Sequence, residues 1–120
     1  MKNKVFLIDD DAIICEIVPE MFEVFDVEVL VAQNKEDAIN VFTENHTQIK
    51  MILFDMNLHG ATGIDIYKEL IKISNDFISI LATGDDVRKG DASISEVDFH
   101  EIVQKPFTLA TLKELVGKYF

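Results

Sequence analysis

The sequence predicts an α/β fold: a doubly wound, five-stranded parallel sheet with helices on both faces. Short apolar runs alternate with longer stretches whose apolar residues recur at helical spacing. Regular alternation of this kind implies right-handed crossover connections, which make neighbouring strands parallel. Because the chain has 120 residues and 48% of them are hydrophobic, it can bury one compact core. We therefore expect residues 1–120 to form a single domain.

Five short runs rich in apolar residues are predicted to be strands. Both faces of an all-parallel sheet are covered, so its strands are nearly continuous apolar runs rather than alternating patterns. Polar or turn-forming residues bound the runs, as expected for strands that end at the edges of a sheet. The predicted strands are residues 5–8, 27–31, 51–54, 78–81 and 101–104.

Five further stretches have the apolar spacing of helices. They are residues 12–25, 35–45, 64–73, 87–96 and 109–119. Asn34 and Thr108 are suitable N-caps for the second and the last of these helices. Pro19 lies inside the first one and removes a backbone donor, so we expect a kink or an early stop near Val18. The segment 87–96 contains a glycine and few apolar residues, and we expect it to be the least stable helix.

The charge and the apolar runs exclude several classes of protein. Acidic residues outnumber basic residues by 22 to 11, which gives a formal charge of -11. Nucleic-acid phosphates and anionic membranes repel such a chain, so we expect no direct nucleic-acid binding. No apolar run approaches the roughly 20 residues of a membrane span, and no signal peptide is evident, so we expect a cytoplasmic protein. The single cysteine, Cys15, is expected to be a packing residue.

Two groups of acidic residues directly follow predicted strands. Asp9, Asp10 and Asp11 follow the first strand, and Asp55 follows the third. If these strands are neighbours, their carboxyl ends bring the two groups together at one edge of the sheet. Carboxylates are costly to bury at strand ends, so their convergence suggests a cation or a phosphoryl group between them. Two carboxylates about 4 Å apart repel by roughly 4 kcal/mol at an effective dielectric of about 20, which is enough to force proton uptake or metal binding. Mg2+ suits such oxygen ligands.

Four short motifs lie at the ends of predicted strands. They are residues 5–11 (VFLIDDD), 51–57 (MILFDMN), 81–84 (LATG) and 105–107 (KPF). Each motif is weak alone, but the four in this order form a specific combination. With them the whole chain resembles a response-regulator receiver domain of two-component signal transduction, similar to the chemotaxis regulators.

The resemblance implies a flavodoxin-like sheet with strand order 2-1-3-4-5 and a phosphoacceptor site at its carboxyl edge. A phosphoryl group would pass from the phosphohistidine of a histidine kinase or phosphotransfer protein to Asp55. Thr83 would donate its hydroxyl to a phosphoryl oxygen, and Lys105 would supply positive charge. An output protein or domain is also implied, and its identity, like that of the kinase, depends on surface residues.

The resemblance also implies a Mg2+ site next to the acceptor. Asp10 would bind the cation directly, Asp9 would bind it through water, and Asn57 would contribute its backbone carbonyl beside the carboxylate of Asp55. Asp11 lies where many members carry another acid, and we interpret it as a residue that starts the first helix.

The chain departs from the family pattern at two positions. Ile102 lies three residues before Lys105, where the family usually has tyrosine or phenylalanine, so the usual aromatic switch is absent. A branched aliphatic side chain there can simply fill the core. His59 occupies a place where proline is common, and we expect it to be a surface loop residue. Asn57 and Asp85 flank the acceptor in positions that influence the lifetime of the phosphoryl group in this family.

Three functional hypotheses remain open at this point. The favoured one is a phosphorylatable receiver, which is a signalling module whose only chemistry is its own phosphorylation and dephosphorylation. The second is a degenerate receiver that acts as a binding or dimerisation module without phosphorylation, which the absence of the aromatic at Ile102 keeps in view. The third is an aspartyl-phosphate phosphatase, but that class has a second acid two positions after the nucleophile, where this chain has Asn57.

Overall fold

A five-stranded parallel sheet forms the centre of the molecule. The computed structural model describes residues 2–58, 60–84 and 99–120. The strands are β1 (Lys4–Ile8), β2 (Glu28–Ala32), β3 (Ile49–Asp55), β4 (Ile78–Thr83) and β5 (Glu101–Gln104). Their spatial order is β2-β1-β3-β4-β5, and each neighbouring pair is parallel. The predicted α/β class, the doubly wound sheet and the strand order 2-1-3-4-5 are therefore confirmed.

Helices cover both faces of this sheet. The described residues contain α1 (Ala12–Glu23), α2 (Lys35–Asn45), α3 (Gly63–Leu70) and α4 (Leu109–Tyr119). None of these helices has the length and apolar character that crossing a membrane requires. The predicted helix 87–96 lies outside the described residues, as do Asp85 and His59.

Helices α1, α2 and α4 begin at the residues that the sequence indicates, whereas α3 begins one residue earlier than predicted and ends at Leu70 instead of residue 73. The side chain of Asn34 accepts a hydrogen bond of 2.8 Å from the backbone N–H of Asp37, and the Thr108 hydroxyl accepts one of 3.1 Å from Thr111. Asp11 caps α1 by accepting from the N–H groups of the second and third helical residues. Each cap satisfies backbone donors that the helix itself leaves unpaired.

Helix α1 does not stop early at Pro19. It runs without interruption to Glu23, so the expected stop near Val18 is wrong. Val18 and Phe22, on either side of the proline, are 2% and 0% exposed, and they anchor the helix to the sheet. The burial of these two side chains outweighs the roughly 3 kcal/mol that an internal proline costs.

Alternating side chains of the central strands build two hydrophobic clusters. Phe6 and Ile8 of β1 lie on one face with residues of α2 and α3, whereas Val5 and Leu7 lie on the other face with residues of α1 and α4. This is the period of two that a strand imposes on its side chains. The carboxyl edge of β1 and β3 is thereby held between two packed layers.

Candidate functional site

The two predicted acidic groups meet at the carboxyl edge of the sheet. Strands β1 and β3 are neighbours, and their register pairs Ile8 with Phe54. Asp9 and Asp55, the residues that follow this pair, therefore lie side by side at the carboxyl ends of the two strands. Asp9, Asp10 and Asp55 each offer a carboxylate oxygen, and these oxygens all lie within 4.8 Å of one another. The expected convergence of the two acidic groups is confirmed.

Two of these carboxylates are buried. Asp9 is 1% exposed and Asp55 is 7% exposed, whereas Asp10 lies at the surface. The backbone N–H of Asp11 donates a hydrogen bond of 2.9 Å to Asp9 Oδ1. A buried carboxylate needs such partners because its charge has lost the stabilisation that water provides. The start of α1 thus fixes the orientation of the Asp9 side chain.

Lys105 supplies the positive charge between the buried carboxylates. Its Nζ lies 2.7 Å from Asp9 Oδ2 and 3.0 Å from Asp55 Oδ1. Its backbone N–H donates to the Thr83 carbonyl at 2.8 Å, which places the residue directly after β5. Partial burial by itself would lower the pKa of Lys105, but the hydrogen bonds to Asp9 and Asp55 outweigh burial and the pKa is raised. The ammonium therefore stays charged and joins the two strand ends.

The neighbouring strand contributes Thr83, and the segment after β3 contributes Asn57. Thr83 is the last residue of β4 and is 1% exposed. The register pairs Asp55 with Ala82, so Thr83 lies one position beyond the residue opposite Asp55. Asn57 lies in a short antiparallel pairing of Asn57–Leu58 with Ala61–Thr62. The predicted site residues thus all lie in the strand ends and connections at this edge of the sheet: Asp9, Asp10, Asp55, Asn57, Thr83 and Lys105.

Sequence reasoning missed two residues that hold the site. A Cβ built at Gly63 would lie 2.4 Å from the carbonyl oxygen of Asp55, so a larger residue cannot occupy this position without a backbone shift. The Cys15 thiol donates to the Asp9 carbonyl at 3.1 Å, and burial raises the pKa of this thiol, which keeps it protonated. The only sequence feature that indicated the role of Gly63 is a glycine directly before the predicted helix 64–73. No sequence feature indicates the contact between Cys15 and Asp9.

Ile102 packs into the core, as a branched aliphatic residue at this position can. It is half-buried against the cluster that contains Phe54. The same cluster contains several aromatic rings: the ring of Phe99 lies 5.8 Å from that of Phe54 and 5.2 Å from that of Tyr67. The ring of Phe54, one residue before Asp55, therefore has aromatic neighbours in Tyr67, Phe77 and Phe99.

A 2-1-3-4-5 sheet with acidic residues and a lysine at its carboxyl edge defines a class of small α/β domains that bind ligands at a topological switch point. The family model described as the response regulator receiver domain matches residues 5–117. The chain belongs to this family of two-component signal transduction.

Known proteins resemble the chain in sequence and in fold. The Transcriptional regulatory protein CpxR homolog of Haemophilus influenzae is 30% identical over 86 residues, which cover 71% of this chain and 37% of that protein. A response regulator receiver domain protein of Clostridium thermocellum matches with a TM-score of 0.85 and 26% identity, over 98% of this chain and 93% of that one. Response regulator protein TrrA of Thermotoga maritima, solved in complex with Mg2+-BeF, matches with a TM-score of 0.83 and 28% identity over 100% of both chains.

Proposed function

We propose that residues 1–120 form one phosphoacceptor domain, which receives a phosphoryl group on Asp55 from the phosphohistidine of a histidine kinase or phosphotransfer protein. The observation that carries this proposal is the ammonium of Lys105, which lies within 3.0 Å of carboxylate oxygens of both Asp9 and Asp55. This charge compensates the carboxylate of Asp55, the nucleophile of the proposed transfer, which is only 7% exposed.

The transfer forms an O–P bond to a carboxylate oxygen of Asp55 and breaks the N–P bond of the donor, whose electron pair stays on the imidazole nitrogen. Lys105 balances the negative charge of the phosphoryl oxygens. The hydroxyl of Thr83, at the end of the strand next to β3, would donate a hydrogen bond to one of these oxygens. No other side chain has to gain or lose a proton in this step.

Asp9, Asp10, Asp55 and the backbone carbonyl of Asn57 would hold Mg2+. An all-oxygen set of carboxylates within 4.8 Å fits this hard cation. When bound, Mg2+ stabilises negative charge on the transferring group. Both oxygens of Asp9 already accept hydrogen bonds, from Asp11 and Lys105, which supports contact with the cation through water, whereas Asp10 would contact it directly.

The domain would act as a signalling module in the cytoplasm rather than as an enzyme with a separate substrate. A relative named as a transcriptional regulator supports an output protein or domain, because the chain spans 37% of that relative's length. With a formal charge of -11, this chain would not itself contact nucleic-acid phosphates or membranes. Its contribution would be a phosphorylation-dependent surface.

Intact-mass measurement after incubation with acetyl phosphate and Mg2+ tests the proposal. The wild type should gain one phosphoryl group, and neither Asp55→Asn nor a sample with a chelator should gain it. Asp26→Asn is the matched control, since Asp26 is exposed and belongs to the loop after α1. An adduct that persists in Asp55→Asn would contradict the assigned acceptor. An unmodified wild type would instead favour the degenerate binding module.

A further inference from the structure

A groove of about 900 Å³ lies at the amino edge of the sheet, opposite the edge that carries Asp55. It forms where the C-terminal end of α1, the first residues of β2 and the C-terminal end of α4 meet. Its position separates it from the phosphoacceptor site, so a ligand can occupy it whether or not Asp55 is modified.

Apolar side chains line part of this groove. Phe25 and Val116 are half-buried, and Phe120 is 44% exposed. Burying such side chains against a partner contributes roughly 25 cal/mol for each Å² of apolar surface removed from water. The groove can therefore accommodate an apolar side chain of a partner.

Acidic side chains surround the same groove. Glu20, Glu23 and Asp26 are exposed, and within the described part of the chain none of their carboxylates forms an ion pair. Lys4, the basic residue of the lining, is already 2.8 Å from Glu28. The groove thus carries uncompensated negative charge beside its apolar side chains.

The helix ends add to this negative potential. The last turn of α1 contains no basic residue, although the C-terminal end of a helix favours positive charge. Glu20 and Glu23 lie in or next to this turn, where negative charge is unfavourable. In α4 the last-turn residue Lys118 is engaged with Glu101 at 3.0 Å. A cationic group supplied from outside would relieve the repulsion at the end of α1.

We propose that this groove binds a protein segment that presents a hydrophobic side chain flanked by lysine or arginine. The apolar lining selects the hydrophobic side chain, and the carboxylates of Glu20, Glu23 and Asp26 select the flanking cations. The same charge disfavours a second copy of this chain, which carries -11, and disfavours nucleic acids and anionic membranes. The interaction does not depend on phosphorylation of Asp55.

Fluorescence anisotropy with a labelled peptide that alternates lysine–arginine pairs with leucine tests this proposal. The wild-type chain should bind this peptide and should not bind a peptide in which glutamate replaces each basic residue. The double variant Glu20→Lys/Glu23→Lys should bind at least about tenfold more weakly. Phe120→Ser should also weaken binding, by about threefold or more, through the loss of apolar contact.

Matched variants separate the groove from the general attraction of an acidic protein. Glu44→Lys/Glu114→Lys changes the net charge equally at exposed helix positions outside the groove, and it should leave the affinity within about twofold. Ile73→Ser, at a side chain that is 38% exposed, is the control for Phe120→Ser. Equal losses in test and control variants would overturn the proposal.

Amide chemical-shift mapping on the wild type keeps the test valid even if a variant fails to fold. The peptide should shift the amides of residues 20–29 and 116–120, and a chelator or the addition of Mg2+ should not change this pattern. Shifts centred on Asp9, Asp10 and Asp55, or the absence of binding by the wild type, would overturn the proposal. A peptide that binds the groove equally after phosphorylation would support its independence from the acceptor site.

Discussion

Lys105 donates a hydrogen bond of 2.7 Å to Asp9 across 96 positions of the sequence. Asp9 follows β1 and is 1% exposed, so without this partner a carboxylate would lie buried and uncompensated at the carboxyl edge of the sheet. The same ammonium contacts Asp55, the proposed acceptor. The pair therefore contributes to the stability of the fold, because removing one partner leaves a buried charge without compensation.

Lys105→Met is expected to lower the free energy of unfolding by about 2–4 kcal/mol in the absence of divalent cations, since two buried carboxylates lose their counter-charge. Mg2+ should restore part of this loss by replacing the positive charge. Urea unfolding with and without Mg2+ measures both effects. Lys113→Met, at an exposed position, should leave the midpoint unchanged. If the two lysine variants were equally stable in both conditions, Lys105 would not compensate the carboxylates.

Mg2+ at ten times its dissociation constant should stabilise the wild type by about 1.4 kcal/mol, because a ligand that binds only the folded state shifts the unfolding equilibrium. Asp10→Asn should lose most of this response, since Asp10 offers an exposed carboxylate next to Asp9 and Asp55. Thermal unfolding with and without Mg2+ provides the comparison, and Asp76→Asn is a control at another exposed aspartate. A full Mg2+ response in Asp10→Asn would exclude Asp10 as a ligand.

The sequence predicted the strand ends well because the acidic residues are placed next to continuous apolar runs. Asp9 and Asp55 could be assigned to one edge once β1 and β3 were taken as neighbours. Strand β3 nevertheless extends from Ile49 to Asp55, beyond the predicted 51–54. Aspartate is rare inside strands, so the sequence pattern ended this strand at residue 54. Asp55 can belong to β3 because the ammonium of Lys105 compensates its charge.

The remaining site residues depend on tertiary contacts that no local pattern encodes. Lys105 is 50 positions from Asp55, and before the fold is known only its resemblance to a family motif links the two. Gly63 and Cys15 hold the backbone of Asp55 and Asp9 through close contacts that depend on helix placement. The continuation of α1 through Pro19 also depends on tertiary contacts, because the packing of Val18 and Phe22 against the sheet outweighs the low helix propensity of proline.

Gly63→Ala is expected to destabilise the protein by about 1–3 kcal/mol and to slow phosphorylation of Asp55. The new Cβ would lie 2.4 Å from the Asp55 carbonyl oxygen. Because this oxygen belongs to the backbone, the clash can be relieved only if β3 or α3 moves. Urea unfolding and the rate of acetyl-phosphate modification measure the two effects. Gly117→Ala, whose Cβ would meet no atom within 4 Å, should instead stabilise α4 by up to about 1 kcal/mol. A Gly63→Ala variant with wild-type stability and rate would show that the close approach is not required.

Glu101→Gln should reveal a pH-dependent contribution from the contact between β5 and α4. Glu101 Oε2 accepts hydrogen bonds from the Tyr119 hydroxyl and from Lys118 Nζ, the latter at 3.0 Å. Partial burial by itself would raise the pKa of Glu101, but these hydrogen bonds outweigh burial and the pKa is lowered. A carboxyl group whose pKa is lower in the folded state stabilises the fold above its unfolded pKa, about 4.3, and loses this contribution as the pH falls through the folded value.

At pH 7 the Glu101→Gln variant should therefore be less stable than the wild type by about 1 kcal/mol, and the difference should shrink as the pH falls below about 4.3. Urea unfolding at a series of pH values gives this difference directly. Glu44→Gln, at an exposed position of α2 away from this contact, should keep wild-type stability at pH 7. If the deficit of Glu101→Gln stayed constant down to the lowest pH at which the protein is folded, the charge of Glu101 would not be its source, and lost packing between β5 and α4 would account for it.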